Sequence, residues 1–154
     1  MYLDEEEAFA RLMKELSGQF DQILIETPPG FGSAFSAAMK AADGTILVST
    51  PDRPCLRDVR AVSDRLDQKP DLTQRLVINR LSEKMFSAMK LTVDDIMDRA
   101  GVPLLGILPE DRNVVLSAAF QKPLLKQTKK GAAAACKRIA KRLQGISVAV
   151  PKKI

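Results

Sequence analysis

Four short polar stretches each follow an apolar run: Glu26, Thr50-Pro51-Asp52, Asn79-Arg80 and Pro109-Glu110-Asp111. If the four runs are parallel strands, these polar ends share one rim. Open α/β sheets bind their ligands at the carboxyl ends of the strands. Taken alone, the pattern says ligand site without saying which ligand. The absence of histidine narrows the chemistry, because it excludes Ser-His-Asp and Cys-His nucleophile systems and most zinc sites. Cys55 and Cys136 lack metal-like spacing and read as two reduced thiols, so no metal site of the chain's own is expected.

The elements that would position this rim alternate along the chain. Phe9, Leu12, Met13 and Leu16 recur at helical spacing behind an acidic first turn, Asp4 to Glu7. Gln22–Glu26 reads as a strand, ended by Thr27-Pro28-Pro29-Gly30, where two prolines and a glycine stop either regular structure. A helix over 33–42 leads to a second strand, Thr45–Ser49. The next helix, after Pro54, turns Leu56, Val59, Val62 or Ser63, and Leu66 inward. Leu76–Asn79 and Leu104–Leu108 are the third and fourth strands. Between them Thr92 and Asp95 can cap a short helix that ends near Gly101. The last helix, 132–143, is expected to present Cys136, Ile139, Ala140 and Leu143 on one face. Strands apolar on both faces and separated by helices indicate an α/β fold, a mostly parallel sheet flanked by helices.

A chain of 154 residues suits one compact domain, read as 1–145, followed by a basic tail at 146–154. No apolar run reaches the roughly 18–20 residues of a transmembrane helix, and the acidic start is unlike a secretory signal. Charge is unevenly placed. The net charge is +5, yet residues 122–154 hold eight lysines, two arginines and no acid. That asymmetry suits an anionic partner such as a lipid surface or nucleic acid, or simply a solvated helix face.

Several of these stretches, in this order, resemble the MinD/ParA family of P-loop ATPases. Phe20–Gly30 is similar to the family's second nucleotide motif, a strand ending in an acid before a Pro and Gly turn. Ala42–Pro51 looks like the next family strand, and Arg57-Asp58 falls where MinD proteins carry an Arg-Asp pair. Val77–Arg80 resembles the strand whose Asn faces the adenine. Gly106–Asp111 resembles the loop that closes over the base, and Lys137–Leu143 the last helix before the family's membrane tail. The resemblance runs from about residue 3 to residue 150. It departs from the family in three places. No Gly-rich Lys-Gly-Lys-Thr loop occurs, Glu26 stands where the family has Asp, and the ending at Ile146–Ile154 leaves no room for an amphipathic membrane helix.

The resemblance implies ATP and Mg²⁺ as cofactors, division-site placement as the function, and a cytoplasmic location, peripheral at the inner face of the membrane. ParA-like partition and flagellar-number ATPases share the architecture. Under this reading Glu26 is a switch-type carboxylate that orients a metal-bound water, against the alternative of a strand-end cap. Asn79 and Arg80, with Pro109, Glu110 and Asp111, form the adenine side. The alternatives are a turn-forming Asn and a helix start. Arg57 and Asp58 contact a cell-division regulator protein, or are only an exposed helix face. Without the phosphate loop, tight ATP binding is not expected. The expected partners are a missing N-terminal half on another chain, a second copy, and a weak anionic membrane contact, with no specific nucleic acid. The rival is a non-enzymatic pseudo-ATPase fragment. Finally, in this family the strand that leads to the phosphate loop lies beside the one ending here at Glu26. The Ile23–Ile25 strand is therefore expected to lack a neighbour and to leave the chain poorly stable alone.

Overall fold

The computed structural model describes residues 2–149, and of residues 2–4 the backbone only. Two compact units divide it, residues 1–43 and 44–154. The expected tail residues 150–154 and the Asp4 side chain lie outside what is described.

The first unit holds α1 (Tyr2–Ser17) and α2 (Ser33–Ala41), packed on one another. Ala38 is buried, Phe9, Met13 and Leu16 are partly buried, and Leu12 turns outward. Residues 22–26 form no strand, contrary to expectation, and Leu24 is 82% exposed. The physical reason is that a strand exists only through its ladder. A short apolar run with no paired neighbour gains no backbone hydrogen bonds and stays irregular.

The second unit is the sheet. Its strands are β1 (Gly44–Ser49), β2 (Thr73–Leu81) and β3 (Leu104–Pro109), all parallel, in the order β1-β2-β3. Among the described residues three strands thus stand where four were expected. Helices join them: α3 (Arg53–Leu66) after β1, α4 (Glu83–Met89) and α5 (Val93–Ala100) after β2, then α6 (Arg112–Ala119), α7 (Leu124–Gln127) and α8 (Gly131–Leu143) after β3.

The helix starts follow from local chemistry. Asp52 caps α3 by accepting from the Cys55 N–H, with Pro54 in the first turn, where its missing N–H costs nothing. Thr92 and Asp95 form a reciprocal capping box at α5, and left-handed Gly101 ends it. On α3 the buried residues are Leu56, Val59, Ser63 and Leu66, which decides between Val62 and Ser63.

The core lies on one face of the sheet. Leu76 and Ile78 of β2 and Ile107 of β3 meet Leu56 and Val59 of α3 and Ile96 and Ala100 of α5. On the other face α8 packs on β3. Gly106 makes that approach close, since a Cβ there would lie 2.4 Å from Ile139 Cγ1. The face of α8 differs from expectation. Ala132, Ala133 and Ala135 are buried, Cys136 and Ile139 partly so, and Ala140 and Leu143 are exposed. Small alanines let the helix sit near the strand, and Arg142 then reaches across to donate to the Leu105 carbonyl at 2.6 Å.

Candidate functional site

Three of the four polar ends sit at the carboxyl end of the three-stranded sheet. After β1, Thr50 donates its hydroxyl to Asp52, and Pro51 is buried. The Thr50 hydroxyl, and then the Cys55 N–H, hold the Asp52 carboxyl below its usual value. At the end of β2 the Asn79 side-chain carbonyl accepts from the Arg80 N–H at 2.9 Å. Arg80 is left-handed, with φ 53°, a conformation uncommon outside glycine. That bend sends the Arg80 guanidinium to Glu110, 3.4 Å away in the loop after β3. The Glu110 N–H in turn donates to the Leu81 carbonyl at 3.0 Å. The two loops are thereby tied across the rim. Between them lies an open cavity of about 270 Å³, lined by Leu81, Ser82, Glu83, Pro109 and Glu110.

Asp111 has a role that the sequence pattern did not expose. One carboxylate oxygen accepts from the Asn113 N–H at 2.9 Å and caps α6. The other accepts from the Ala132 N–H at 3.0 Å, in the first turn of α8. Gly131 is left-handed, and a Cβ there would lie 2.3 Å from the Asp111 carboxylate. These backbone donors, Asn113 first and then Ala132, lower the Asp111 carboxyl below its usual range. The capping of α6 agrees with a helix start. The bond to α8 spans 21 positions and has no local sequence signal.

Glu26, Arg57 and Asp58 are not among the residues that line this cavity. Glu26 belongs to the first unit, where it lines a separate open cavity of about 280 Å³ with Glu5, Glu6, Phe9 and Thr27 among its walls. Arg57 and Asp58 sit on the solvent side of α3, more than 70% exposed, with 3.8 Å between guanidinium and carboxylate. No group of three or more metal-ligating side chains gathers among the described residues.

Pro109 lines this cavity, while the Asn79 side-chain carbonyl and the Glu110 N–H are already engaged within the rim. The rim does not suit a triphosphate with Mg²⁺, which needs several converging N–H donors, an ammonium and a hydroxyl. Of the described residues in this cluster, only Arg80 is cationic, and it is paired with Glu110.

In fold the chain has the MinD/ParA P-loop ATPase architecture: a ParA-family ATPase of Chlorobium tepidum matches at TM-score 0.72 and 18% identity over 90% of this chain and 56% of that one. Within the class, the chain is a homologue of MinD, consistent with a C-terminal portion of it. It is 33% identical over 141 residues to the septum site-determining protein MinD of Synechocystis, covering 90% of this chain and 53% of the relative. It is 30% identical over 144 residues to MinD of Bacillus subtilis, covering 92% and 54%. Among solved structures it superposes on the MinD cell division protein of Aquifex aeolicus with TM-score 0.87 at 28% identity, over 95% of this chain and 63% of that one. The chain thus spans about half the length of the curated relatives it matches. No protein-family profile matches it.

Proposed function

We propose that this chain is the base-side portion of a MinD-like septum-site ATPase, truncated or split. It takes ATP with Mg²⁺ only when a phosphate-loop segment completes the site. The observation that carries this reading is the tied rim, Asn79–Arg80 against Pro109–Asp111, in a chain whose relatives are MinD proteins. Asn79 and Pro109 hold the base, Arg80 and Glu110 fix the two loops, and Asp111 positions the second loop on α8. Glu26 acts as the switch-type carboxylate of the completed site. One related structure is described as a complex with Mg-ADP, from Pyrococcus horikoshii, and another as a MinC:MinD complex, from Aquifex aeolicus. By that likeness Arg57 and Asp58 face a cell-division regulator, and the completed protein works as a dimer in the cytoplasm, peripheral to the membrane.

Magnitude supports the need for completion. Adenine has about ten heavy atoms, at ~0.3 kcal/mol each by ordinary ligand efficiency, so the base contributes ~3 kcal/mol, weaker than millimolar affinity. The chain alone is therefore expected to show no ATP binding in the low micromolar range by calorimetry with Mg²⁺. A dissociation constant in that range overturns the proposal. A second reading, a non-enzymatic module for an anionic surface, is favoured by the acid-free run of residues 122–154. The coding DNA upstream discriminates. A phosphate-loop segment, in frame or one frameshift away, supports the ATPase, and its absence supports the module.

A further inference from the structure

The molecule carries a strand edge and a strand-like run that are both without a partner. Among the described residues β1 is hydrogen-bonded on one side only, to β2, through six consecutive pairs with no bulge. Its residues, Gly44–Ser49, include no charge and no proline. Native sheets blunt their edges with lysine, proline or a bulge, and an unguarded edge is a template for another strand. The edge at β3 is guarded. Pro109 lies within that strand, its register with β2 is irregular, and Arg142 holds the Leu105 carbonyl. The run is Gln22–Glu26, which has no ladder of its own. Ile23 and Ile25 are partly buried and Leu24 is exposed, the alternation of a strand with one face turned outward.

Charge selects what meets the edge. Residues 1–43 hold eight acids and three bases, a net −5, and residues 44–154 hold eleven acids and twenty-one bases, a net +10. These spans are the two compact units. Two β1 edges meeting each other would bring two strongly basic units together, whereas the run of one copy on the β1 of another joins opposite signs. A second copy also satisfies both features at once. Each copy has a run to give and an edge to receive, so two exchanges close a twofold dimer and leave no edge to propagate. A foreign strand would fill the edge and leave Ile23–Ile25 bare.

We propose that two copies of this chain exchange strands, Gln22–Glu26 of each adding to the free edge of β1 in the other. The chain order of run, α2 and β1 is that of a crossover unit, so the pairing is parallel, made here across two chains as in domain swapping. It sets the exposed Leu24 on the same face as Ile46 and Val48, so that apolar side chains become cross-strand neighbours. The exchange needs neither nucleotide nor a phosphate-loop segment. It therefore goes beyond the ATPase reading and is separate from any dimer of the completed protein.

Sedimentation velocity of the nucleotide-free chain at rising concentration is the test. The expected result is a monomer–dimer equilibrium that stops at the dimer and weakens with added salt. Val48→Lys charges the edge and Leu24→Lys charges the run. Both residues are exposed, so neither change removes core packing. Each variant alone should weaken the dimer about tenfold or more. An equal mixture of the two should dimerise better than either, because one of its two exchanges joins an unaltered run to an unaltered edge. Circular dichroism checks folding; if Val48→Lys does not fold, Leu24→Lys, which lies outside the sheet, decides alone. A monomer at every concentration overturns the proposal. So does a dimer weakened by Val48→Lys and untouched by a folded Leu24→Lys, the mark of β1 meeting β1. A dimer untouched by both overturns it in favour of another face. A mixture no tighter than the single variants, both folded, overturns the reciprocal exchange.

Discussion

Strands β1 and β2 are built from similar apolar residues and meet opposite fates. In β2, Leu76, Val77 and Ile78 are all buried, so both faces are covered. In β1, Leu47 packs against the core cluster, but Ile46 and Val48 are exposed, Val48 by 58%. The registers align these residues: Val48 pairs with Val77, and Val77 with Gly106. On that face Val77 is buried beside the strand that α8 packs on, and Val48 is not. β2 also has a strand on each side, while β1 is an edge among the described residues. Burial here is a property of the neighbours and not of the strand itself. A parallel strand exposed along one face is unusual, since parallel sheets are normally covered on both. The bare face of β1 and the unpaired run at Ile23–Ile25, where Leu24 is 82% exposed, are two of the places where apolar residues lack cover.

The largest test of this contrast is in the covered strand. Ile78→Ala should cost about 2–5 kcal/mol in urea unfolding, because Ile78 is fully buried and its loss leaves a cavity. Gly106→Ala should cost about 1–3 kcal/mol by the same measurement. Its Cβ collides with Ile139, so α8 must move off the sheet. Asp111→Ala should cost about 0.5–2 kcal/mol, the range for a lost helix cap. Its effect should depend on pH. The Asp111 carboxyl titrates lower in the folded chain than in the unfolded one. Its contribution is therefore complete above the unfolded value of about 3.9 and is lost as pH falls through the lower folded value. Unfolding midpoints from pH 6 down to about pH 3 should converge for Asp111→Ala and the parent chain. The smallest effect belongs to the open strand. Val48→Thr should change stability by less than about 0.5 kcal/mol. A loss at Val48 comparable to that at Ile78 would mean that β1 is covered in solution, and size-exclusion chromatography would then show whether a second copy provides the cover.

What the sequence disclosed and what it hid divide along the same line. Local signals were legible. The spacing of Leu56, Val59 and Leu66 marked the inner face of α3, and Thr92 with Asp95 marked a real capping box. The strand ends at Asn79 and at Pro109–Asp111 could be placed on one rim because parallel strands share their polarity. Features fixed by distant neighbours were not legible. Residues 22–26 have the composition of a strand, but pairing depends on what lies alongside. The face of α8 was only half legible: Ile139 does pack on Gly106, but Ala140 and Leu143 are exposed and Ala132, Ala133 and Ala135 are the buried residues. Nor could the second bond of Asp111, since nothing near residue 111 announces a donor at Ala132.

The clasp at Arg142 acts at the opposite end of the sheet from the polar rim. Its guanidinium holds the Leu105 carbonyl near the start of β3 and, with two further N–H groups, the Val148 carbonyl of the following segment. The clasp uses no carboxylate, whereas the fastenings of the rim, Asp52 and Asp111, are carboxylates that acid disarms. Acidification should therefore undo the molecule directionally, like a zip with one end riveted. The loops after β1 and β3 would loosen first and become open to protease. The junction of α8, the start of β3 and Val148 would persist as the last protected piece.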